Sequence, residues 1–332
     1  MEKINSRPVQ PSGSTVVPVR ESAFDTVLGH SRGLQQVIQL ARKVAVTDVP
    51  VLLTGETGTG KEVFAQAIHN GSARAKQPFV AINCSAFSKE LLESEIFGHK
   101  AGAFTGALKD KKGLFEEANH GTIFLDEIGE MAYGLQAKLL RVLETGEYIK
   151  VGDTKPTKID VRIVSATNRN LKEEIANSNF REDLYFRLSV FHLHLPPLRE
   201  RREDIPELAA AFLKFFATKM GKQVKGFAAD CQAWMQSYAW PGNVRELRNV
   251  IERALIICDD YITLDDMPLD FRSSTLSGSA ADGDDFELAE AEHRHIQRVL
   301  QYTKGNKAEA ARLLKIGLTT LYRKIEEYGI NI

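Results

Sequence analysis

The residues best suited to chemistry stand in one short stretch, Gly55-Glu56-Thr57-Gly58-Thr59-Gly60-Lys61-Glu62. Its spacing is G-x-x-x-x-G-K, the phosphate-binding loop pattern. Glycines let consecutive backbone N–H groups curl around an anion, and a helix opening at Lys61 adds its positive dipole end. Lys61 is placed to reach terminal phosphates. One position departs from the general pattern: Glu62 stands where Ser or Thr normally holds Mg2+, so another group must hold the metal. Asp126-Glu127 offers one, two adjacent carboxylates ending the apolar run Thr122-Ile123-Phe124-Leu125. Such a pair at the end of a buried strand needs a cation or proton to offset it. The division that suits it is Asp126 toward Mg2+, directly or through water, and Glu127 polarising an attacking water. The bland alternatives are a chance glycine turn and a strand end that reaches solvent. Together the two motifs favour a nucleoside triphosphate.

These groups must be positioned by regular elements, and the apolar pattern supplies them. Residues 1–23, rich in Pro, Ser, Gly and Val, show no period and read as a flexible leader. Leu34, Val37, Ile38, Ala41 and Val44 predict a helix from Ser31 to about Val46, with Ser31 a candidate cap. Strand-length apolar runs at Val49–Thr54, Phe79–Asn83, Thr122–Glu127 and Val161–Ser165 alternate with helical stretches, among them Lys89–Phe97 and Leu135–Thr145. That alternation argues an α/β fold with a parallel sheet covered by helices on both faces. The carboxyl ends of the strands would then bring Gly55, Asn83, Asp126 and Asn168 together.

The α/β region is expected to span 24–195. From Pro196 the pattern is purely helical, with segments Ile205–Met220, Ala228–Tyr238 and Val244–Cys258, and 196–271 read as a helical subdomain. Residues 272–285 read as a linker. In 286–332, Leu288, Ala291, His295, Ile296, Val299 and Leu300 form one apolar stripe, a candidate dimer surface. Lys307–Leu314 and about Thr319–Glu327, joined through Gly317, have the form of a helix-turn-helix. A recognition helix presents its N-terminal residues to base edges, so Thr319, Thr320 and Arg323 are expected at bases or nearby phosphates, and Lys307, Lys315 and Lys324 at phosphates.

With a net charge of −1 over 332 residues, DNA contact must come from such a local patch rather than from the field of the whole chain. Cys84, Cys231 and Cys258 have no C-x-x-C spacing and read as reduced core residues. No signal peptide or run of about 18 apolar residues is present, and the cytoplasm is the expected compartment. His293 and His295 point apart on a helix, while His192 and His194 share one face of a candidate strand. Structural roles suit both pairs better than metal ligation.

Gly55 to Glu62, the loop Gly102-Ala103-Phe104-Thr105-Gly106-Ala107 and the run Trp240-Pro241-Gly242-Asn243-Val244-Arg245-Glu246-Leu247 together resemble the sigma-54-dependent transcription activators. These are bacterial enhancer-binding proteins of the NtrC type, and the resemblance runs from about Phe24 to Ile332. It implies an AAA+ ATPase, hydrolysing ATP to ADP and phosphate, with a helical lid and a Fis-type helix-turn-helix domain. Glu62, odd against the general pattern, is usual in this family.

By the same resemblance Asn83 is the switch that orients the catalytic glutamate, and Asn168 the sensor of the γ-phosphate. Arg181 and Arg187 are implied as fingers reaching a neighbouring subunit's ATP. Read from the residues alone, they are as well surface arginines paired with Glu182 and Asp183. Arg245 is implied as the second sensor, on the lid. Fingers acting in trans require a homo-oligomer, from dimer to hexamer.

The loop Gly102 to Ala107 sets Phe104 between glycines, flanked by Lys100, Lys109, Lys111 and Lys112. Composition leaves open whether Phe104 is an exposed tip or folds into the core. In the family this loop contacts sigma-54. The implied partners are sigma-54 RNA polymerase holoenzyme and enhancer DNA. The residues before Phe24 are too few for the receiver or sensor domain that family members carry there. Control by a partner protein in trans, control by expression level, or a chain that is a piece of a longer one all remain open.

Overall fold

The computed structural model describes residues 21–268, 288–303 and 305–330. Five parallel strands form its central sheet: β1 (Val51–Thr54), β2 (Phe79–Asn83), β3 (Thr122–Asp126), β6 (Arg162–Thr167) and β7 (Phe191–His194), in the order β2-β3-β6-β1-β7. A parallel sheet needs both faces covered, so its inner strands read as continuous apolar runs. Val51, Leu52 and Leu53 are all buried, as is every residue of β6. Side chains alternate between faces. Val51, Leu53, Phe124 and Val164 pack with the helices Arg32–Ala45 and Lys61–Asn70. Leu52, Ile123, Leu125 and Ile163 pack with Lys89–Phe97, Tyr133–Thr145, Leu171–Ala176 and Glu182–Leu188.

Strands β4 (Glu147–Ile149) and β5 (Pro156–Lys158) form an antiparallel pair that the apolar pattern did not announce, because three residues are too few to show an alternation. The described chain begins with a 3-10 turn, Glu21–Phe24, that overlaps the last residues of the stretch 1–23 expected to be a leader and ends on buried Phe24. Ser31 does precede the first helix, yet its side chain does not cap it. Its hydroxyl donates instead to the buried carboxylate of Asp204 at 2.6 Å, which also accepts the backbone N–H groups of His30 and Ser31. A carboxylate from the distant helical region thus fixes the turn that leads into the helix, without capping its first N–H groups.

That region holds the helices Ile205–Met220, Ala229–Ser237 and Asn243–Ile257 around Trp234, Trp240, Leu247 and Ile251, with the short parallel pair β8 (Gly226–Phe227) and β9 (Tyr261–Ile262) at its edge. The chain divides into two compact units, up to Arg272 and from Ser273 onward. In the second, helices Leu288–Tyr302, Lys307–Leu313 and Leu318–Glu327 enclose Ile296, Leu300, Ala310, Ala311 and Leu321. The expected linker 272–285, and the side chains of Leu288 and Ala291 in the expected stripe, lie outside the described residues.

Candidate nucleotide site

The loop between β1 and the helix Lys61–Asn70 turns on three glycines with positive φ: 150° at Gly55, 81° at Gly58 and 104° at Gly60. Closeness matters as much as conformation here. A Cβ on Gly58 would lie 2.3 Å from the carbonyl oxygen of Gly242, and one on Gly55 would lie 2.8 Å from that of Leu195. The helix opens on Gly60 with no side-chain cap, leaving its first N–H groups available to an anion. Lys61 is buried, and its ammonium donates to the carbonyls of Gly55 (2.8 Å) and Glu56 (3.2 Å). Burial lowers its pKa, while Glu127 and Asp126 nearby pull it back up. A buried cation bonded only to neutral carbonyls, facing two carboxylates, fits a phosphate chain carrying a divalent cation.

A cleft of about 250 Å3 joins Gly60, Lys61, Asp126, Glu127, Arg245 and Arg248. Glu127 follows β3 in a left-handed conformation (φ 51°), and its backbone N–H donates to the Asp126 carboxylate at 3.0 Å. Neither acid forms an ion pair among the described residues. Arg245 reaches the cleft from the first turn of Asn243–Ile257, where Gly58 accepts hydrogen bonds from the N–H groups of Val244 (3.0 Å) and Arg245 (3.3 Å). Arg248 was missed from sequence. Its spacing of three from Arg245, which puts both on one helical face, was the available signal.

The other expected residues are distributed unevenly. Asn168 donates to the Thr57 hydroxyl at 3.0 Å and so touches the loop directly. Asn83 stands opposite Asp126 in the strand register, but its amide oxygen accepts from the N–H (2.8 Å) and hydroxyl (2.7 Å) of Ser85. Thr57, Thr59 and Glu62 lie in the loop or the helix's first turn. Glu56, within the same loop, sends its carboxylate toward the lid, where Arg199 holds it with two bonds of 2.8 and 2.6 Å. The Arg199 fork and the Asn243 amide hold its pKa down at about 2. Arg181 forms a two-bond pair with Asp183 and lies over the Tyr133 ring, and Arg187 is 3.6 Å from Glu144. Neither lines the cleft of its own chain. His192 and His194 both bond the Thr54 hydroxyl, at 2.7 and 3.2 Å, which accounts for them structurally.

The loop Gly102–Ala107 closes on itself: Gly102 donates to Ala107 at 2.8 Å and Ala107 to Phe104 at 3.0 Å. Phe104 is neither free tip nor core. Its ring edge rests on His99 (4.9 Å between centroids) and it stays 42% exposed. Of the flanking lysines, Lys100 pairs with Asp110 and Lys111 with Glu95.

In the second unit, Thr319 and Arg323 are exposed on Leu318–Glu327 and Thr320 is half-buried, while Lys315 is exposed in the turn before it. Lys307 lies over the Tyr322 ring. Lys324 differs from expectation. Its ammonium is held by Glu292 at 2.5 Å and by the Tyr328 hydroxyl at 3.3 Å, which ties the outer helix to the last one.

A phosphate loop on a central strand, an acidic pair two strands away and a helical lid bonded to the loop define an AAA+ ATPase. Family models match the sigma-54 interaction domain over residues 27–194, the AAA+ ATPase lid domain over 199–283 and the Fis family of bacterial regulatory proteins over 287–328. The chain is 47% identical over 307 residues to the alginate biosynthesis transcriptional regulatory protein AlgB of Pseudomonas aeruginosa, covering 92% of this chain and 68% of AlgB. It is 41% identical over 330 residues to the transcriptional regulator NtrC of Escherichia coli, covering 92% and 70%. Brucella abortus NtrX, solved in complex with ATP, superposes with a TM-score of 0.71 at 36% identity, covering 91% of this chain and 69% of that one. The chain belongs to the sigma-54-dependent transcriptional activators, a family of ATP-hydrolysing, DNA-binding regulators.

Proposed function

We propose that this chain couples ATP hydrolysis in its first unit to remodelling of the closed sigma-54 RNA polymerase complex into the open one, acting from enhancer DNA held by its second unit. The observation that carries this reading is the direct bonding of the lid to the phosphate loop through Gly58, which gives a change at the phosphates a mechanical outlet. Backbone N–H groups of Gly55 to Gly60 and the Lys61 ammonium would hold the phosphates. Asp126 would hold Mg2+, which when bound supplies charge neutralisation at the phosphates. Glu127 is suited to polarise water, and Asn83, released from Ser85, to orient Glu127. Asn168 can register the nucleotide through Thr57, and Arg245 and Arg248 can draw the lid toward the phosphates. Glu62, at the helix start, supplies no hydroxyl to the metal.

Arg181 and Arg187, outside their own cleft, suit a neighbour's cleft in a homo-oligomer, by family analogy a hexamer of cytoplasmic protomers. Gly102, Ala103, Phe104, Thr105, Gly106 and Ala107 form the contact to sigma-54. Thr319, Thr320, Arg323, Lys307 and Lys315 face DNA, with Lys324 bracing the recognition helix. Control by a partner protein in trans fits the same scheme. The test is open-complex formation at a sigma-54 promoter with hydrolysable and non-hydrolysable ATP. Thr105→Ala should retain ATPase activity and lose open complexes, and normal promoter opening by that variant would remove the loop from the mechanism.

A further inference from the structure

The lid is bonded to the outer turn of the phosphate loop residue by residue. Asn243 donates its amide to the Glu56 carboxylate and to the Thr57 carbonyl, both at 3.1 Å. Gly58 accepts from Val244 and Arg245, and the carbonyl of Thr59 accepts from buried Arg201 at 3.0 Å. Asn243 also accepts the backbone N–H of Leu198 at 2.7 Å, at the point where the chain leaves β7 for the lid. It is fully buried with φ 54°, a conformation that Asn tolerates better than most residues. Arg199, next in that hinge, grips Glu56 with both arms of its guanidinium. Hinge, lid helix and phosphate loop therefore meet at one carboxylate. That carboxylate, partly exposed to solvent, is an anion on a loop built to receive anions, so its charge opposes a bound polyphosphate unless a cation beside it offsets it.

We propose that Glu56, Arg199 and Asn243 form a clasp that makes nucleotide affinity depend on the seating of the lid. With the lid seated, Arg199 offsets Glu56 and Asn243 holds the Thr57 carbonyl, keeping the loop's N–H groups turned to the cleft. With the hinge displaced, the uncovered carboxylate opposes the polyphosphate. The three are positioning residues and touch no reacting atom. The inference rests on the ATPase reading, and turnover by the unaltered chain in the same assay separates failure of one from failure of the other.

The experiment uses the full chain, measuring ATP turnover against ATP concentration and binding of a fluorescent ADP analogue. Arg199→Ala should raise KM for ATP and the ADP analogue's Kd about five- to tenfold, in the range usual for coupled sites, with a much smaller fall in kcat. Adding Glu56→Gln to Arg199→Ala should bring affinity back toward that of the unaltered chain, because the uncovered anion is gone. Arg199→Lys, which keeps the charge and loses the fork, should fall between. A merely structural role predicts that the double variant binds no better than Arg199→Ala. That result, or unaltered affinity in Arg199→Ala, would overturn the clasp. Should Arg199→Ala fail to fold by circular dichroism, Arg199→Lys with and without Glu56→Gln must show the same reversal, and its absence counts equally against the proposal.

Discussion

Two glycine-rich loops of this chain have similar compositions and opposite surroundings. In the phosphate loop, Gly58 (φ 81°) is pressed against the lid, with the Gly242 carbonyl where a Cβ would go. In the loop Gly102–Ala107, Gly102 (φ 80°) and Gly106 (φ 102°) have nothing within 4 Å of an added Cβ. The first loop is gripped by Asn243, Arg201, Val244 and Arg245, whereas the second is held mainly by its own hydrogen bonds and by the bridges of His99 to Lys111 and Val151. Positive φ thus serves close approach in one place and freedom in the other. A held loop suits chemistry that needs fixed N–H groups, and a loosely held one suits a contact that must move.

The sharpest way to break this contrast is at the acid pair. Glu127→Gln should lower kcat by roughly 10²–10⁴, the span usual for a proton-handling group, while the ADP analogue still binds. No substitution within Gly102–Ala107 should approach that loss. A Glu127→Gln variant with more than a tenth of normal turnover would mean that another group polarises water.

The glycines themselves test it next. Gly58→Ala must displace the Gly242 carbonyl as well as adopt positive φ, costing about 3 kcal/mol or more in overpacking and backbone strain together. Gly102→Ala meets open space and costs about 1–2 kcal/mol of backbone strain alone. Urea unfolding and ADP-analogue binding should therefore show Gly58→Ala both less stable and poorer in binding, with Gly102→Ala binding normally. Equal effects at the two positions would erase the distinction between held and free.

How much of this was legible in the sequence follows from the range of each interaction. The phosphate loop, Asp126-Glu127 and the helices of the lid were readable because glycine spacing and 3.6-residue periodicity are local. The helix Ile205–Met220 has the bounds that its apolar period predicted. The clasp was not readable. Glu56 lies 143 residues from Arg199 and 187 from Asn243, and no periodicity announces which charged side chains will meet across a hinge. The same holds for Asp204, which draws the Ser31 hydroxyl away from the first helix. The partners of Lys324 were hidden for a related reason: only the fold brings Glu292 and Tyr328 to it. Arg181 and Arg187 lie outside the cleft of their own chain, and only the family resemblance singled them out in the sequence.

The smallest expected effect concerns the helix that carries Lys61. Its last turn holds His69, buried, with Nδ1 2.9 Å from the Thr122 hydroxyl and its ring against Phe79. Burial, reinforced by the nearby Arg162 guanidinium, lowers its pKa below the ordinary 6.5. A group whose folded pKa is depressed favours the folded state fully above its unfolded pKa. That advantage shrinks as pH falls through 6.5 and is lost below the folded value. The slope cannot exceed about 1.4 kcal/mol per pH unit for one proton. Unfolding by urea at about pH 7 and about pH 5.5 should then show a decrease, to which His192, also lowered by burial, contributes, and His69→Gln should reduce it, Gln keeping a partner for Thr122. Glu56, held down near 2, stays charged across this window and contributes nothing to the change. That share of the acid sensitivity belongs to the far end of the helix that the held loop opens, beside the amino ends of β2 and β3. A drop of the same size in His69→Gln would place the acid sensitivity in other groups.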